Sequence, residues 1–157
     1  MKKVLFLQLK GNSYAGVWTV NKMIAETLID KGYDVHILAL RNNPSDIVLE
    51  HDKRLILDVV NKKDLWEANY SGSEIITTIK NLRVFRALKM TIVKIKHNIT
   101  KYQDKLKVKK YIEDYQPNCI ITSHYELIDM IPEKYLNITY HEQHSSFEAA
   151  ISNLGNR

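Results

Sequence analysis

Cysteine, proline and glycine are scarce in this sequence. Its 157 residues include one cysteine, three prolines and five glycines. The single thiol, Cys119, excludes an intrachain disulfide, and this favours a reducing, cytoplasmic compartment. Cys119 lies in an apolar stretch, so we interpret it as a small buried side chain and not as a nucleophile. The composition also excludes collagen and a disordered chain.

Long apolar runs are absent as well. No stretch reaches the roughly 20 apolar residues that a transmembrane helix requires. The basic start and short apolar run of Met1–Leu7 resemble a signal peptide. The run ends at Gln8 and Lys10, however, and is too short for the apolar region of such a peptide. We therefore expect a buried first strand.

Acidic residues are missing from one part of the chain, although the net charge of the whole is only +5. Eleven lysines and arginines occur between Lys80 and Lys110, with Asp104 as the only acid. A solvated helix face and an anionic membrane surface explain this segment equally well. Nucleic acid is not expected as a partner, because no nucleic-acid motif accompanies the charges. The residues predicted to face a membrane are Arg83, Arg86, Lys89, Lys94 and Lys96.

Buried apolar runs alternate with helical periodicity along the chain. The predicted strands are Val4–Leu9, Val35–Leu40, Arg54–Val59, Asn118–Thr122 and Asn137–Tyr140. The predicted helices are Val17–Lys31, a helix from Ile75 to Ile92, Ile99–Tyr115, and a short helix after His124. This order predicts one α/β domain over residues 1–157, a Rossmann-like doubly wound fold with a mainly parallel sheet and helices on both faces.

Polar residues follow three of these strands. In open parallel sheets, ligands bind beyond the carboxyl ends of the strands. We therefore predict a binding site on one rim of the sheet. Its residues are Gly11, Asn12 and Gly16 after the first strand, Ser123, His124 and Tyr125 after the fourth, and His141, Glu142 and His144 after the fifth.

More than one interpretation of these residues stays open. Glycines at a strand–helix turn permit close approach of an anion to backbone N–H groups, but they also occur there for backbone geometry alone. The histidines suit ligand binding, a structural role or a metal site. Metal is the weakest of the three, because the His-x-x-His spacing of His141 and His144 lacks a third fixed ligand.

Three segments resemble retaining GT-B glycosyltransferases of family 4. The first joins Val4–Leu9, Gly11 and Gly16 to the helix positions Ala25 and Leu28 and to Lys31–Val35, where Tyr33-Asp34 replaces the usual Gly-His pair. The second and third are Pro117–His124 and Ile138–Ser145. The likeness covers nearly the whole chain and depends on the order and spacing of these segments.

This resemblance implies the amino-terminal, acceptor-binding domain of a two-domain enzyme. The partner would be a carboxyl-terminal donor-binding domain of the same polypeptide, which lies outside these 157 residues, so we expect this chain alone to be inactive. The donor would be a nucleotide-diphosphate sugar, with no cofactor or metal. The acceptor would be a sugar, a cell-surface polysaccharide or a lipid-linked molecule, and the basic helices would form a membrane-facing patch.

Carried over by position, the resemblance places His141 beside the transferred sugar as the catalytic residue. Gly16 and its neighbours would approach the donor diphosphate or the acceptor, and Ser123 and His124 would line the acceptor side. The alternative, from a different class, is a stand-alone α/β binding or regulatory module for a phosphorylated ligand.

Overall fold

A computed structural model describes residues 1–11, 16–42, 52–61, 71–80 and 84–142. The strands are β1 (Lys3–Gly11), β2 (Asp34–Asn42), β3 (Ile56–Asn61), β4 (Cys119–Thr122) and β5 (Thr139–His141). The helices are α1 (Gly16–Asp30), α2 (Gly72–Lys80) and α3 (Val84–Tyr115), with short 3-10 helices at Tyr125–Met130 and Glu133–Ile138.

The five strands form one sheet in the order β3-β2-β1-β4-β5, and every neighbouring pair is parallel. The chain builds the sheet outward from β1 in one direction and then returns to add β4 and β5 on the other side. This is a doubly wound, Rossmann-like α/β arrangement, and it confirms the predicted fold class.

Two apolar clusters cover the faces of the sheet, because successive side chains of a strand point to opposite sides. Leu5 and Leu7 of β1 pack with Val108 and Ile112 of α3. Val4 and Phe6 pack on the other side, against a cluster that includes Trp18, Ala25 and Ile29 of α1. Helices thus lie on both faces, and β1 is buried between them.

The predicted apolar face of α1 is shifted. The helical spacing of Val17, Val20, Ile24 and Leu28 in the sequence predicts that these residues face the core. The buried positions are Trp18, Asn21, Ala25 and Ile29, whereas Val20 is exposed. The helix ends as predicted at Gly32, which has a φ of 83° and donates its N–H to Ile29. The N–H of Tyr33 bonds to Leu28, which completes a Schellman motif.

The basic segment folds differently from the prediction. Instead of helices over Ile75–Ile92 and Ile99–Tyr115, the chain forms the short α2 and one 32-residue helix, α3. The only α3 residues in the core cluster against the sheet belong to Val108–Tyr115. The hydroxyl of Tyr115 donates to the Asp34 carbonyl at the start of β2, so α3 runs antiparallel to the strands.

Smaller differences concern the ends of strands and one helix type. Arg41 and Asn42 complete β2, although the sequence predicts that this strand ends at Leu40. The β3 strand is Ile56–Asn61, two residues later than predicted. The helix expected after His124 is a 3-10 helix.

Candidate functional site

The direction of chain winding changes between β1 and β4. In open α/β sheets the crevice beyond the carboxyl ends of the strands at such a point is where ligands bind. The predicted residues Ser123 and His124 follow β4, and His141 ends β5. The structure therefore places them at the carboxyl edge, as the sequence predicts.

The carboxyl edge of the sheet is stepped. Thr122, the last residue of β4, pairs with Leu7 of β1 and with His141 of β5. Strand β1 continues four residues beyond Leu7 to Gly11, which at about 3.3 Å per residue is roughly 13 Å. The ends of β4 and β5 therefore lie at one level. Strand β1 extends beyond that level, and its last four residues form one wall of the crevice.

The lower level of the step is organised around Thr122. Its carbonyl accepts the Glu142 N–H at 2.8 Å, so the β4–β5 pairing extends past His141. Its hydroxyl donates to the His124 carbonyl at 3.1 Å. The first bond holds the segments after β4 and β5 next to each other, whereas the second fixes the turn after β4. Four of the predicted residues, Ser123, His124, His141 and Glu142, therefore lie close together.

The side chains at this level differ in exposure. His141 is exposed, whereas Ser123, His124 and Glu142 are half-buried. Ser123 Oγ and His124 Nδ1 lie 3.3 Å apart. The exposed Tyr125 donates its hydroxyl to the neighbouring Glu126 at 3.3 Å. The arrangement offers imidazole, hydroxyl and carboxylate groups to a polar ligand on one small surface.

Gly11, at the end of β1, has a packing role. A Cβ at this position would lie 2.9 Å from the Ala39 Cβ and 3.5 Å from Leu57 Cδ1. Glycine is required there because β1 must approach these neighbours closely, which is one of the two interpretations that the sequence left open.

Gly16 has a different environment. It is exposed, it begins α1, and a Cβ there would meet no atom within 4 Å. The first N–H groups of a helix have no partner within the helix and suit an anion. Asn12 and His144, predicted for this site, lie outside the described residues.

A buried pair of amide side chains, which the sequence pattern does not single out, lies where β1 passes the end of β4. Asn21 Nδ2 donates to Gln8 Oε1 at 3.0 Å. Gln8 Nε2 and Asn21 Oδ1 have no hydrogen-bond partner. The available signal was Gln8 itself, the one polar residue inside an apolar strand.

A buried ion pair lies near the carboxyl end of β2. Arg41 donates to the Asp104 carboxylate of α3, and their side chains are 4% and 0% exposed. A second Arg41 nitrogen donates to the Leu40 carbonyl at 2.7 Å. Asp104, the only acid between Lys80 and Lys110, thus ties α3 to this end of the sheet.

A second polar cluster lies near the opposite, amino edge. Tyr111 donates to Asp58 at 2.6 Å, its oxygen lies 2.8 Å from His36 Nδ1, and Tyr115 stacks on the His36 ring. Burial lowers the pKa of His36 and raises the pKa of Tyr111. Cys119 is half-buried and not fully buried as predicted, and this partial burial raises the pKa of its thiol.

The residues predicted to face a membrane are not equivalent in the structure. Arg86, Lys89 and Lys96 are exposed on α3, whereas Lys94 is half-buried. The Lys94 Nζ atom lies 3.6 Å from the position of a Cβ on Gly72, so it lies beside α2. Arg83 lies outside the described residues.

Neither a metal-ligand cluster nor a membrane-spanning helix occurs in the described part of the chain. No group of three or more histidine, cysteine, aspartate and glutamate side chains is arranged to hold a metal ion. Among the helices of the same residues, none combines the length and apolarity needed to cross a bilayer.

Comparison with known proteins gives a distant structural likeness. No family model and no curated protein matches the sequence. The fold is similar to part of a sucrose-phosphate synthase from Thermosynechococcus elongatus, with a TM-score of 0.49 and 14% identity. The match covers 97% of this chain but 35% of the synthase chain, so this chain spans about a third of that protein's length. Similarity at this level does not assign a function.

Proposed function

We propose that this chain is the acceptor-binding domain of a retaining glycosyltransferase that uses a nucleotide-diphosphate sugar. The observation that carries the proposal is the pairing of Thr122 with Leu7 and His141. It joins the ends of β4 and β5 into one polar surface at the point where the winding direction changes. The resemblance of the three sequence segments to family 4 enzymes supplies the reaction class.

The residues of the lower step have complementary roles in this proposal. His141 is exposed at the edge, and its imidazole hydrogen-bonds a hydroxyl of the transferred sugar. Ser123, His124 and Glu142 hold acceptor hydroxyls, and Tyr125 borders them. Polar groups of this kind fix the orientation of a sugar, because each hydroxyl can both donate and accept.

The remaining task in a retaining transfer is to stabilise the departing diphosphate and to exclude water from the positively charged sugar centre. The N–H groups in the first turn of α1, beside Gly16, suit the diphosphate because they point toward the start of the helix. A donor-binding domain would supply the other wall of the cleft. This chain therefore binds and positions the acceptor but does not complete the reaction alone, and it needs no metal.

The second candidate is a stand-alone module for a phosphorylated ligand. It draws on the open space beside Gly16 at the start of α1, where an anion can approach the backbone. The two candidates differ in what the chain does without a second domain. A module binds its ligand tightly alone, whereas an acceptor domain leaves most nucleotide contacts to a donor-binding domain.

Calorimetric titration with UDP-glucose and GDP-mannose, combined with a turnover assay, separates the candidates. An acceptor domain binds either donor weakly, with a Kd on the order of 1 mM or higher, and shows no turnover. Micromolar, saturable binding by the chain alone would support the module. Release of nucleoside diphosphate by this chain without any added domain would overturn the acceptor-domain proposal.

Binding of a panel of methyl glycosides, followed by ligand-observed NMR, tests the site residues. We expect His141→Ala and Ser123→Ala to weaken binding of any glycoside that the chain recognises. Met23→Ala is the matched control, because Met23 is 63% exposed on α1 and is not part of the edge. Equal binding by all three variants would remove His141 and Ser123 from the proposal.

A further inference from the structure

Helix α3 carries a second apolar face that the fold leaves exposed. Its residues follow one another at alternating intervals of three and four positions, and their exposed fractions run from 46% at Ile92 to 91% at Phe85. They are Phe85, Leu88, Ile92, Ile95, Ile99, Tyr102 and Leu106, and we call them the α3 seam. Alternating intervals of three and four residues are the heptad repeat of a coiled coil.

The residues that border the seam are all polar. With the seam at the a and d positions of a heptad, its neighbours on the helix surface are the e and g positions. They are Lys89, Lys96 and Gln103 at e, and Thr91, Asn98 and Lys105 at g. The seam is therefore narrow, as in a coiled coil, and narrower than the apolar face by which a helix usually packs on a protein core.

The opposite side of α3 is occupied by the fold itself. Met90, His97 and Asp104 fall at the f position, across the helix from the seam, and all three are buried. Met90 accepts a hydrogen bond from Thr78 of α2, and Asp104 pairs with Arg41 near the end of β2. The domain thus packs against the f side of α3, and the seam faces away from it.

The seam has the length of a helix-pairing surface. From Phe85 to Leu106 it covers three heptads and, at 1.5 Å per residue, about 32 Å. An apolar repeat sustained over this length is typical of coiled coils. Because Asp104 already lies near the carboxyl end of β2, the seam residues before it extend beyond the sheet, on the side of the candidate site.

The charges beside the seam select an acidic partner. Lys89, Lys96 and Lys105 are exposed at e and g positions, and no acid occupies such a position between Phe85 and Leu106. In a coiled coil, the e and g residues of the two helices form salt bridges where their charges are opposite. A helix with glutamates at the facing positions would pair with all three lysines.

A second copy of this chain offers no such match. In a parallel pair of α3 helices, g residues of one helix meet e residues of the other, which brings Thr91 to Lys96 and Asn98 to Gln103. In an antiparallel pair, e residues meet e residues, so that Lys96 would lie near its own copy and be repelled. Neither arrangement forms an ion pair, and charge complementarity therefore favours a different chain.

We infer that the α3 seam binds an amphipathic helix of another protein, with apolar residues at a and d and acidic residues at e and g. The two helices lie side by side as a coiled coil. Seam side chains enter the holes between side chains of the partner, and the bordering lysines pair with its carboxylates. This inference goes beyond the proposed transfer reaction and does not depend on it.

Two synthetic peptides test the inference on the full chain. Both have about four heptads with isoleucine at a and leucine at d, and they carry glutamate (peptide E) or lysine (peptide K) at every e and g position. Repulsion between these like charges keeps each peptide from pairing with itself. In fluorescence anisotropy, peptide E should bind with a Kd of about 10 µM or tighter, and peptide K at least about tenfold more weakly.

A variant of the seam tests the apolar contacts. Ile92→Gln/Ile99→Gln should weaken binding of peptide E at least about a hundredfold, because burial of each isoleucine contributes about tenfold or more. Glutamine is used because it preserves helix propensity. Met23→Gln is the matched control, since Met23 is exposed and apolar but lies on α1, and it should bind like the wild type.

A variant of the borders tests the charges. Lys89→Glu/Lys96→Glu/Lys105→Glu should reverse the preference, so that peptide K binds better than peptide E. In about 1 M salt, where the Debye length is about 3 Å, the wild type should discriminate less between the peptides, whereas the loss in Ile92→Gln/Ile99→Gln should persist. Circular dichroism checks that each variant keeps its helices.

Four results would overturn the inference. One is equal binding of peptides E and K, or binding of neither. Another is equally tight binding of a scrambled peptide E, because attraction between opposite charges would then suffice. A dimer in analytical ultracentrifugation that Ile92→Gln/Ile99→Gln abolishes would assign the seam to a second copy. Flotation with anionic vesicles that the same variant abolishes, without discrimination between the peptides, would assign it to lipid.

Discussion

Removing the charge of Asp104 should destabilise the fold strongly. Its carboxylate is completely buried, and it pairs with Arg41, whose side chain is 4% exposed. In Asp104→Asn the guanidinium would remain buried without a counter-charge. Breaking a buried pair in this way costs about 3–5 kcal/mol. That is a large fraction of the roughly 5–15 kcal/mol that stabilises a typical domain.

Urea denaturation followed by circular dichroism measures this loss, and thermal unfolding should show a Tm lower by about 10 °C. The double variant Arg41→Met/Asp104→Leu should recover most of the stability, because it removes both charges and fills the space with apolar atoms. Glu113→Gln is the matched control, since Glu113 pairs with Lys134 at 3.8 Å on the surface. It should cost less than about 1 kcal/mol.

Equal, small losses in Asp104→Asn and Glu113→Gln would refute this reasoning. They would mean that the Arg41–Asp104 pair is hydrated and does not tie α3 to β2. A double variant as unstable as the single one would also contradict it, because the cost would then arise from packing and not from an uncompensated charge.

Further expected outcomes concern two glycines and the amino-edge cluster. Gly11→Ala should lower the free energy of unfolding by about 1–3 kcal/mol, because the new Cβ would lie 2.9 Å from the Ala39 Cβ, and urea denaturation should detect this. Gly16→Ala, which meets open space, should change it by less than about 1 kcal/mol. Because burial lowers the pKa of His36 below its ordinary 6.5, the unfolded chain takes up a proton more readily, and stability should fall as pH drops below 6.5; the profile of His36→Gln should be flatter. Tyr111→Phe removes two hydrogen bonds and should cost about 1–3 kcal/mol in the same unfolding assay.

Much of the fold could be predicted from periodicity because the strands are apolar and end at polar or glycine-rich turns. The burial of β1 on both faces gives an apolar run from Val4 to Leu9 that only Gln8 interrupts, and Gly32 marks the end of α1. The helix α3 could not be predicted as one element. Its two apolar faces belong to different surfaces, and periodicity alone cannot tell a core face from an exposed one.

The candidate site could be predicted only in part. The carboxyl ends of β4 and β5 followed from the strand order, since parallel strands end at one edge. The step beside β1 could not be predicted from the strand order. It depends on the pairing of Leu7 with Thr122, and tertiary packing sets this register. The sequence does not single out Gln8 or Arg41, because the role of each depends on a partner that is distant along the chain.

Amide NMR spectra of the chain titrated with a methyl glycoside that it binds test the central claim most directly. A polar ligand site at the stepped carboxyl edge predicts shifts concentrated at Thr122–His124 and at His141 and Glu142, and predicts their loss in His141→Ala. Shifts confined to α3 or to the amino-edge cluster around His36, with these five amides unchanged at saturation, would contradict it.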